Sequence, residues 1–282
     1  MRRTPPRRLL QKQNNKTNAF GGFAAEGVLL NRKGADVEQA DFLRRIEDLS
    51  ARCERANILT NTTFLTPAEQ ALAAERLRHR PGCRFALHGG GEDCERKVLF
   101  FLPDWQEEVS ADDAIDAIEL QASFGTPSHR DYLGALLALG VRREWLGDIR
   151  IREQSAWVFC LPSVTRQLLE LRQAGRVSVQ AAQVPLAGVP APVYQRKALS
   201  FTVQSLRLDA VAGELFGISR TGAARKIAEG AVSLNYLPCL KPDAAVSEGD
   251  VVSLRGTGKG VILSLGGQSR KGRQYVHAER YL

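Results

Sequence analysis

Apolar residues recur at helical spacing over residues 41–59, where Phe42, Ile46, Leu49 and Cys53 share one face, so a helix is expected there. A second helix opens at Thr66-Pro67, because threonine caps orphan N–H groups and proline suits the first turn. It should stop near His79, ahead of Pro81-Gly82. Arg84–Leu87 and Lys97–Leu102 read as strands on either side of the Gly89-Gly90-Gly91 turn. Ser110 to Asp113 reads as a capping box opening a short helix to about Ile118, and Ser128 to Asp131 as another. The second box starts the clearest helix in the chain, with Tyr132, Leu133, Leu136 and Leu137 on its apolar face and Gly140 as its stop. Strands at Asp148–Ile151 and Ala156–Leu161, a helix from Ser163 to Ala174 and a strand at Arg176–Ala181 complete this stretch. Helices alternating with strands over about 100 residues predict an α+β sandwich, one sheet with helices on one face.

Pro185, Pro190 and Pro192 mark an extended connection, after which the pattern changes. Leu208, Val211, Ala212 and Leu215 form one helical stripe that Gly217 breaks. Ser219 caps a further helix, Arg220 to Glu229, ended by Gly230. Short strands follow at Val232–Asn235, Val251–Leu254 and Val261–Leu265, and no internal repeat of 20–50 residues is present. The expected division is a disordered basic arm over residues 1–40, a helical N-terminal unit over 41–81, and an α+β middle domain over 82–183. A linker over 184–204, a helix-and-ribbon domain over 205–267 and a basic tail over 268–282, holding Arg270, Lys271 and Arg273, complete it.

A chain of 282 residues with 44% hydrophobic and 25% charged positions has the composition of an ordinary globular protein of about two domains. Its longest apolar run, Leu133 to Val141, falls short of the roughly 20 residues a membrane span needs. The basic start, Arg2 to Arg8, leads into Gln-Lys-Gln-Asn-Asn-Lys with no apolar stretch, which argues against a secretory signal. Five cysteines without a CxxC pair make neither a disulfide scaffold nor a zinc ribbon, and a reducing cytoplasm is expected. The net charge of +8 points to polyanionic partners. It is polarised: residues 41–120 carry 10 Lys/Arg against 16 Asp/Glu, whereas residues 205–282 carry 11 against 7.

Residue patterns for reaction chemistry are sparse. Glu107-Glu108 and Asp112-Asp113 are explained by solvation and by helix N-termini that favour carboxylates. His79, Cys83, His88 and Cys94 have no zinc-ligand spacing. Gly256 to Gly260 lacks the spacing and final Ser/Thr of a P-loop, and neither a nucleophile elbow nor a dinucleotide fingerprint occurs. No catalytic residue, metal, cofactor, small-molecule substrate or membrane partner is expected. Phe100 and Phe101 sit on a candidate strand where one faces the core and either is a candidate for base stacking. His129 and Arg130, at a helix start, either face RNA or merely belong to its cap.

Arg207-Leu-Asp209, Ser219-Arg220, Ala223, Ile227, Gly230, Val232, Leu234-Asn235, Lys241-Pro242, Gly249-Asp250 and Arg255-Gly256 together closely resemble an S4 RNA-binding domain of the αL type. A helix pair with a β-ribbon offers a stiff surface on which Arg220 lies in the first turn, with Arg225 and Lys226 outside the apolar face of Ala223, Ala224 and Ile227. Cations so spaced can meet successive phosphates of a folded RNA, which is read by shape and 2′-hydroxyls. Arg255 and Lys259 flank a glycine-rich turn where backbone can approach a phosphate. The candidate RNA-binding residues are therefore Arg207, Ser219, Arg220, Arg225, Lys226, Asn235, Lys241, Arg255 and Lys259. Two alternatives stay open: Arg207 and Asp209 form a structural ion pair, and Asn235 only holds a turn.

Leu65 to Gln70, Gly89 to Lys97, Leu102-Pro-Asp104, Ser128 to Gly134 and Leu139 to Asp148 extend the likeness. Over roughly residues 41–267 the chain is similar to the bacterial YlmH-type S4 proteins, also known through plastid relatives as photosystem II S4-domain proteins. The resemblance implies an RRM-like middle domain and a C-terminal S4 domain. It also implies binding to rRNA or tRNA on the large ribosomal subunit or its stalled peptidyl-tRNA complex, and ribosome-associated quality control, with cell division as a second context. The middle domain departs from RNA-reading RRMs in lacking the aromatic RNP1 pattern. The competing expectation is an RNA-modifying enzyme of pseudouridine-synthase type in which S4 delivers the substrate. Its catalytic domain of about 200 residues usually follows S4, whereas here the S4-like segment is C-terminal.

Overall fold

The computed structural model describes residues 33–80 and 82–281. The basic arm expected over residues 1–40 lies outside them as far as residue 32. Residues 33–40 belong instead to helix α1, Lys33–Ala56. The apolar pattern starts only at Phe42, but helical hydrogen bonds propagate beyond the face that anchors them.

Strand β1, Thr60–Leu65, follows in a stretch the apolar pattern passes over. Its threonines are the reason: Thr60 and Thr62 are buried polar residues whose hydroxyls are satisfied internally. Thr60 Oγ1 donates to Leu49 O at 2.9 Å, and Thr62 Oγ1 accepts from Leu99 N at 3.0 Å. Helix α2, Pro67–Arg78, carries the expected start as a full capping box between Thr66 and Glu69. Strands β2, Phe85–His88, and β3, Lys97–Phe101, then pair with β1 in an antiparallel sheet ordered β1-β3-β2. The N-terminal unit is thus not purely helical, and the strands assigned to the middle domain from residue 82 belong to it. Phe42, Ile46, Leu99 and Phe101 form its core.

The middle unit opens with β4, Asp116–Ala122, where a helix to Ile118 was expected. Only a 3-10 turn, Ala111–Asp113, follows Ser110. Ile118, Leu120 and Ala122 are buried at a spacing of two, and that strand periodicity outweighs the cap. Next come α3, His129–Ala138, β5, Leu146–Arg152, and β6, Ser155–Cys160. Helix α4, Pro162–Leu168, is shorter than expected, and β7, Gln173–Ala174, and β8, Val177–Val184, end the unit. The antiparallel sheet is ordered β5-β6-β4-β8-β7, so β4-α3-β5-β6-α4-β8 has the ferredoxin-like arrangement. Tyr132, Leu136, Val164 and Leu168 pack against one face. On the other face Phe159, fully buried, meets Phe64 and Phe100 of the N-terminal unit, so the two units share a core.

The C-terminal unit is larger than the segment 205–267. Strand β9, Arg196–Val203, lies inside the supposed linker. Helices α5, Leu208–Phe216, and α6, Arg220–Ala228, precede β10, Val232–Leu234, β11, Leu237–Pro238, and β12, Val251–Leu254. Strands β13, Gly258–Gln268, and β14, Gln274–Tyr281, form a long hairpin. The six-stranded sheet is ordered β11-β10-β12-β13-β14-β9, so residues assigned to a basic tail make an interior strand. Val276 and Ala278 on that strand are buried against the domain core, which the apolar residues of a tail would not be. At Gly260 an added Cβ would come within 2.7 Å of Leu215, so α5 lies directly on β13. The described residues form an α+β fold.

The loop between β2 and β3 joins the units. Arg150 of β5 donates to Pro190 O at 2.9 Å, to Glu92 O and to Cys94 Sγ at 3.3 Å, and lies 5.0 Å from the centre of the Phe159 ring. Asp148 accepts from the backbone N–H groups of Glu95 at 2.6 Å and Arg96 at 3.1 Å. Asp93 pairs with Arg196 at 3.2 Å, and Glu95 with Lys259.

Candidate nucleic-acid interface

Helices α5 and α6 meet at a tight turn because Gly217 takes a left-handed conformation (φ 68°) that a side chain disfavours. Ser219 then caps α6, its Oγ accepting from Gly222 N at 3.0 Å, so this candidate acts first on the helix. At the start of α5 the main chain is pinned to the loop before β12: Leu208 N donates to Ala244 O and Asp209 N to Pro242 O, both at 2.8 Å.

Asp209 is buried and grips two guanidinium groups. Arg207 forms a fork to it, Nε to Oδ1 at 3.2 Å and Nη2 to Oδ2 at 3.1 Å, and Arg220 Nε reaches Oδ2 at 3.2 Å. Burial works to raise the Asp209 pKa, but the bonds from Arg207 and Arg220 outweigh it and hold the carboxyl below the usual carboxylate range. The structural ion pair is therefore real, and it does not exhaust the charge. Two cations face one anion, and both arginines remain about half exposed. Arg225 and Lys226 extend this face along α6, tied only to Glu229 at 3.7 and 3.4 Å. Such exposed pairs are worth little, so both cations are exchangeable.

The other candidates divide. Asn235, at positive φ, gives both ends of its amide to the fold: Nδ2 donates to Asp250 Oδ1 at 2.8 Å, and Oδ1 accepts from Val251 N at 2.9 Å. It holds the β10–β11 turn. Lys241 and Arg255 are exposed, the second in the turn between β12 and β13. Lys259 is mostly buried, ion-paired with Glu95 and 4.6 Å from the centre of the Tyr281 ring. Burial alone would lower its pKa, but Glu95 raises it. It fastens the C-terminal unit to the N-terminal one, and no local signal reveals this because the partners lie 164 residues apart. The Arg220–Asp209 contact was missed for a related reason, since it exists only once α5 and α6 are folded back to back.

In the other units Phe100 and Phe101 are fully buried, which leaves no ring face for a base. His129 and Arg130 are exposed at the start of α3, whose cap is formed by Ser128 and Asp131. Among the described residues no group of three His, Cys, Asp or Glu is placed to hold a metal, and all five cysteines are free. No helix among them is long and apolar enough to cross a membrane.

Comparison with known proteins bears on the ferredoxin-like unit directly. Residues 112–188 match the family model described as "Putative RNA-binding domain in YlmH". Over 222 residues, 78% of this chain and 86% of the relative, the sequence is 28% identical to a Bacillus subtilis (strain 168) protein named "Ribosome-associated protein quality control protein P2". The chain is similar to the YlmH-type proteins. Among solved structures, "Cell division protein ylmH from Streptococcus pneumoniae" aligns at 18% identity and a TM-score of 0.46, covering 57% of this chain and 98% of that one. The segment matched by the family model spans β4 to β8 and runs on to Gly188, so the β2–β3 hairpin falls outside it, as the sheet pairing requires.

Proposed function

We propose that the protein is a non-catalytic RNA-binding factor that acts on the ribosome in the cytoplasm, with α5 and α6 as an S4-type gripping surface. Its targets on this reading are large-subunit rRNA and the peptidyl-tRNA held there, in ribosome-associated quality control. The observation that carries it is the Arg207–Asp209–Arg220 cluster: one buried carboxylate fixes two half-exposed guanidinium groups beside the open cations Arg225 and Lys226. Cations held at fixed spacing suit the phosphates of a structured RNA. The family description of residues 112–188 and the name of the Bacillus relative support RNA and the ribosome as partners.

The RNA-modifying alternative is disfavoured by the same cluster. Asp209 is the one carboxylate in an Arg-Leu-Asp sequence, and it is buried and bound by two arginines, without the freedom a nucleophile or base requires. The decisive experiment combines sedimentation across ribosomal subunits with RNA binding at several salt concentrations. Lys226→Ala should weaken binding across RNA sequences and reduce the salt slope by about one counterion. Unchanged affinity and slope in Lys226→Ala and Arg225→Ala would remove this face from the interface, and newly modified bases after incubation with rRNA or tRNA would overturn the non-catalytic reading.

A further inference from the structure

A cleft of about 610 Å³ runs along β5, the edge strand of the middle sheet, and is closed on its far side by the proline-rich segment 190–194. Arg96, Arg143, Arg150 and Arg152 line it. They come from the junction loop, from the 3-10 turn Arg143–Trp145 and from β5 itself. Among the described residues, none of the four has a carboxylate within ion-pair distance.

Neutral carbonyls hold three of them, Arg96, Arg143 and Arg150, instead. Arg96 donates to Leu146 O at 3.2 Å and to Phe64 O at 2.9 Å, while Arg143 donates to Leu146 O at 2.7 Å and Gly147 O at 3.1 Å. Carbonyls orient a guanidinium without cancelling its charge. The two acids in the lining are engaged elsewhere, Asp148 with backbone N–H groups and Glu95 with Lys259. Burial and the neighbouring Arg96 push the Arg143 pKa down to about 10, with Asp148 opposing them. This is the behaviour of a cation short of a counter-ion. Charged residues on an edge strand also discourage strand pairing, but Arg96 and Arg143 lie off the strand. Beside the arginines the cleft exposes Ile151 and Val193, 39% and 83% accessible, as apolar surface.

We propose that this cleft is a second nucleic-acid site, which takes the phosphate of a ribonucleotide on Arg143 and Arg152 and its sugar–base face on Ile151 and Val193. The ribonucleotide belongs to single-stranded RNA, a choice that rests on the RNA-binding reading above. The volume is that of a small-ligand pocket, too small for a duplex and suited to one or two nucleotides of an exposed strand. It would let the protein hold a folded RNA on α5 and α6 and a loose strand in the cleft.

The test measures fluorescence anisotropy of a labelled tetraribonucleotide with the full chain, with AMP as competitor. Variants are Arg143→Gln, Arg152→Glu and, as the control on the other face, Lys226→Ala. Each cleft variant should weaken tetranucleotide binding about tenfold, with unchanged melting temperature for Arg152→Glu. Lys226→Ala should leave tetranucleotide binding unchanged while weakening structured RNA. AMP that competes as strongly as unlabelled tetranucleotide would identify a free nucleotide as the ligand and overturn the strand assignment. Tetranucleotide binding that is absent, or lost in Lys226→Ala and kept in both cleft variants, overturns the site. Neither result touches the S4-type reading, whose own failure appears as structured RNA indifferent to Lys226→Ala.

Discussion

Two segments of this chain are dense in charge, Gly89 to Lys97 and Ser219 to Lys226, and they do opposite work. In the first the groups turn inward. Asp93, Glu95 and Arg96 bind partners on the other two units, and Glu92 and Cys94 receive Arg150. In the second, Ser219 closes a helix and the cations stay open to solvent. Charge density alone therefore does not mark an interface. What separates the two is the partner: groups fixed to carbonyls and carboxylates of other units are a joint, whereas groups aimed by one buried aspartate or tied to a neighbouring glutamate keep an open side for a phosphate.

The joint is the part whose loss should cost most. Arg150→Ala leaves the carbonyls of Glu92 and Pro190 without their donor and uncovers Phe159. The expected loss is about 3 kcal/mol in urea unfolding. A loss below about 1 kcal/mol would mean that the units hold together without this loop. Asp209→Asn probes the other segment. Its guanidinium partners are half exposed, so the cost is reduced from that of a fully buried pair to about 2 kcal/mol. Net charge rises by one, yet RNA affinity should fall, because Arg207 and Arg220 lose the group that aims them. A rise in affinity would show that bulk charge, and not fixed geometry, grips the RNA.

These two segments also mark how far the sequence could be read. Around Asp209 the stripe Leu208, Val211, Ala212 and Leu215 is buried as its spacing requires, and Gly217 ends α5 where expected. Every relevant partner there lies within a few tens of residues. The joint is built from contacts spanning 40 to 164 residues, which no periodicity encodes. Strand β1 was hidden because its buried side chains include threonines that read as polar, and β4 because a serine capping signal precedes it. Strand β14 was hidden by the basic residues Arg270, Lys271 and Arg273, which occupy the turn before it. Of the candidate site, the exposed cations of α6 were legible from residue type, but Lys259 and Asn235 were not separable from them, since only their distant partners show that they are held within the fold.

The smallest effect distinguishes the two segments by pH. His88 sits at the head of the joint, where its Nδ1 accepts from Gly90 N at 3.0 Å. Only the neutral ring can accept there. Burial lowers its pKa below the ordinary 6.5, Lys97 adds to that, and Asp112 opposes it. A depressed histidine contributes stability that is complete above the unfolded-state value and is lost as the pH falls through the folded-state value. The joint should therefore weaken below about pH 6.5, by less than either substitution costs. The Asp209 cluster, whose carboxyl is also depressed, should keep its contribution until the pH falls below about 4. Unfolding midpoints measured from pH 7.5 to 5 should decline in the native chain and decline less in His88→Asn, in which an amide oxygen accepts from Gly90 without titrating. Equal slopes in the two proteins would show that His88 does not couple the joint to pH.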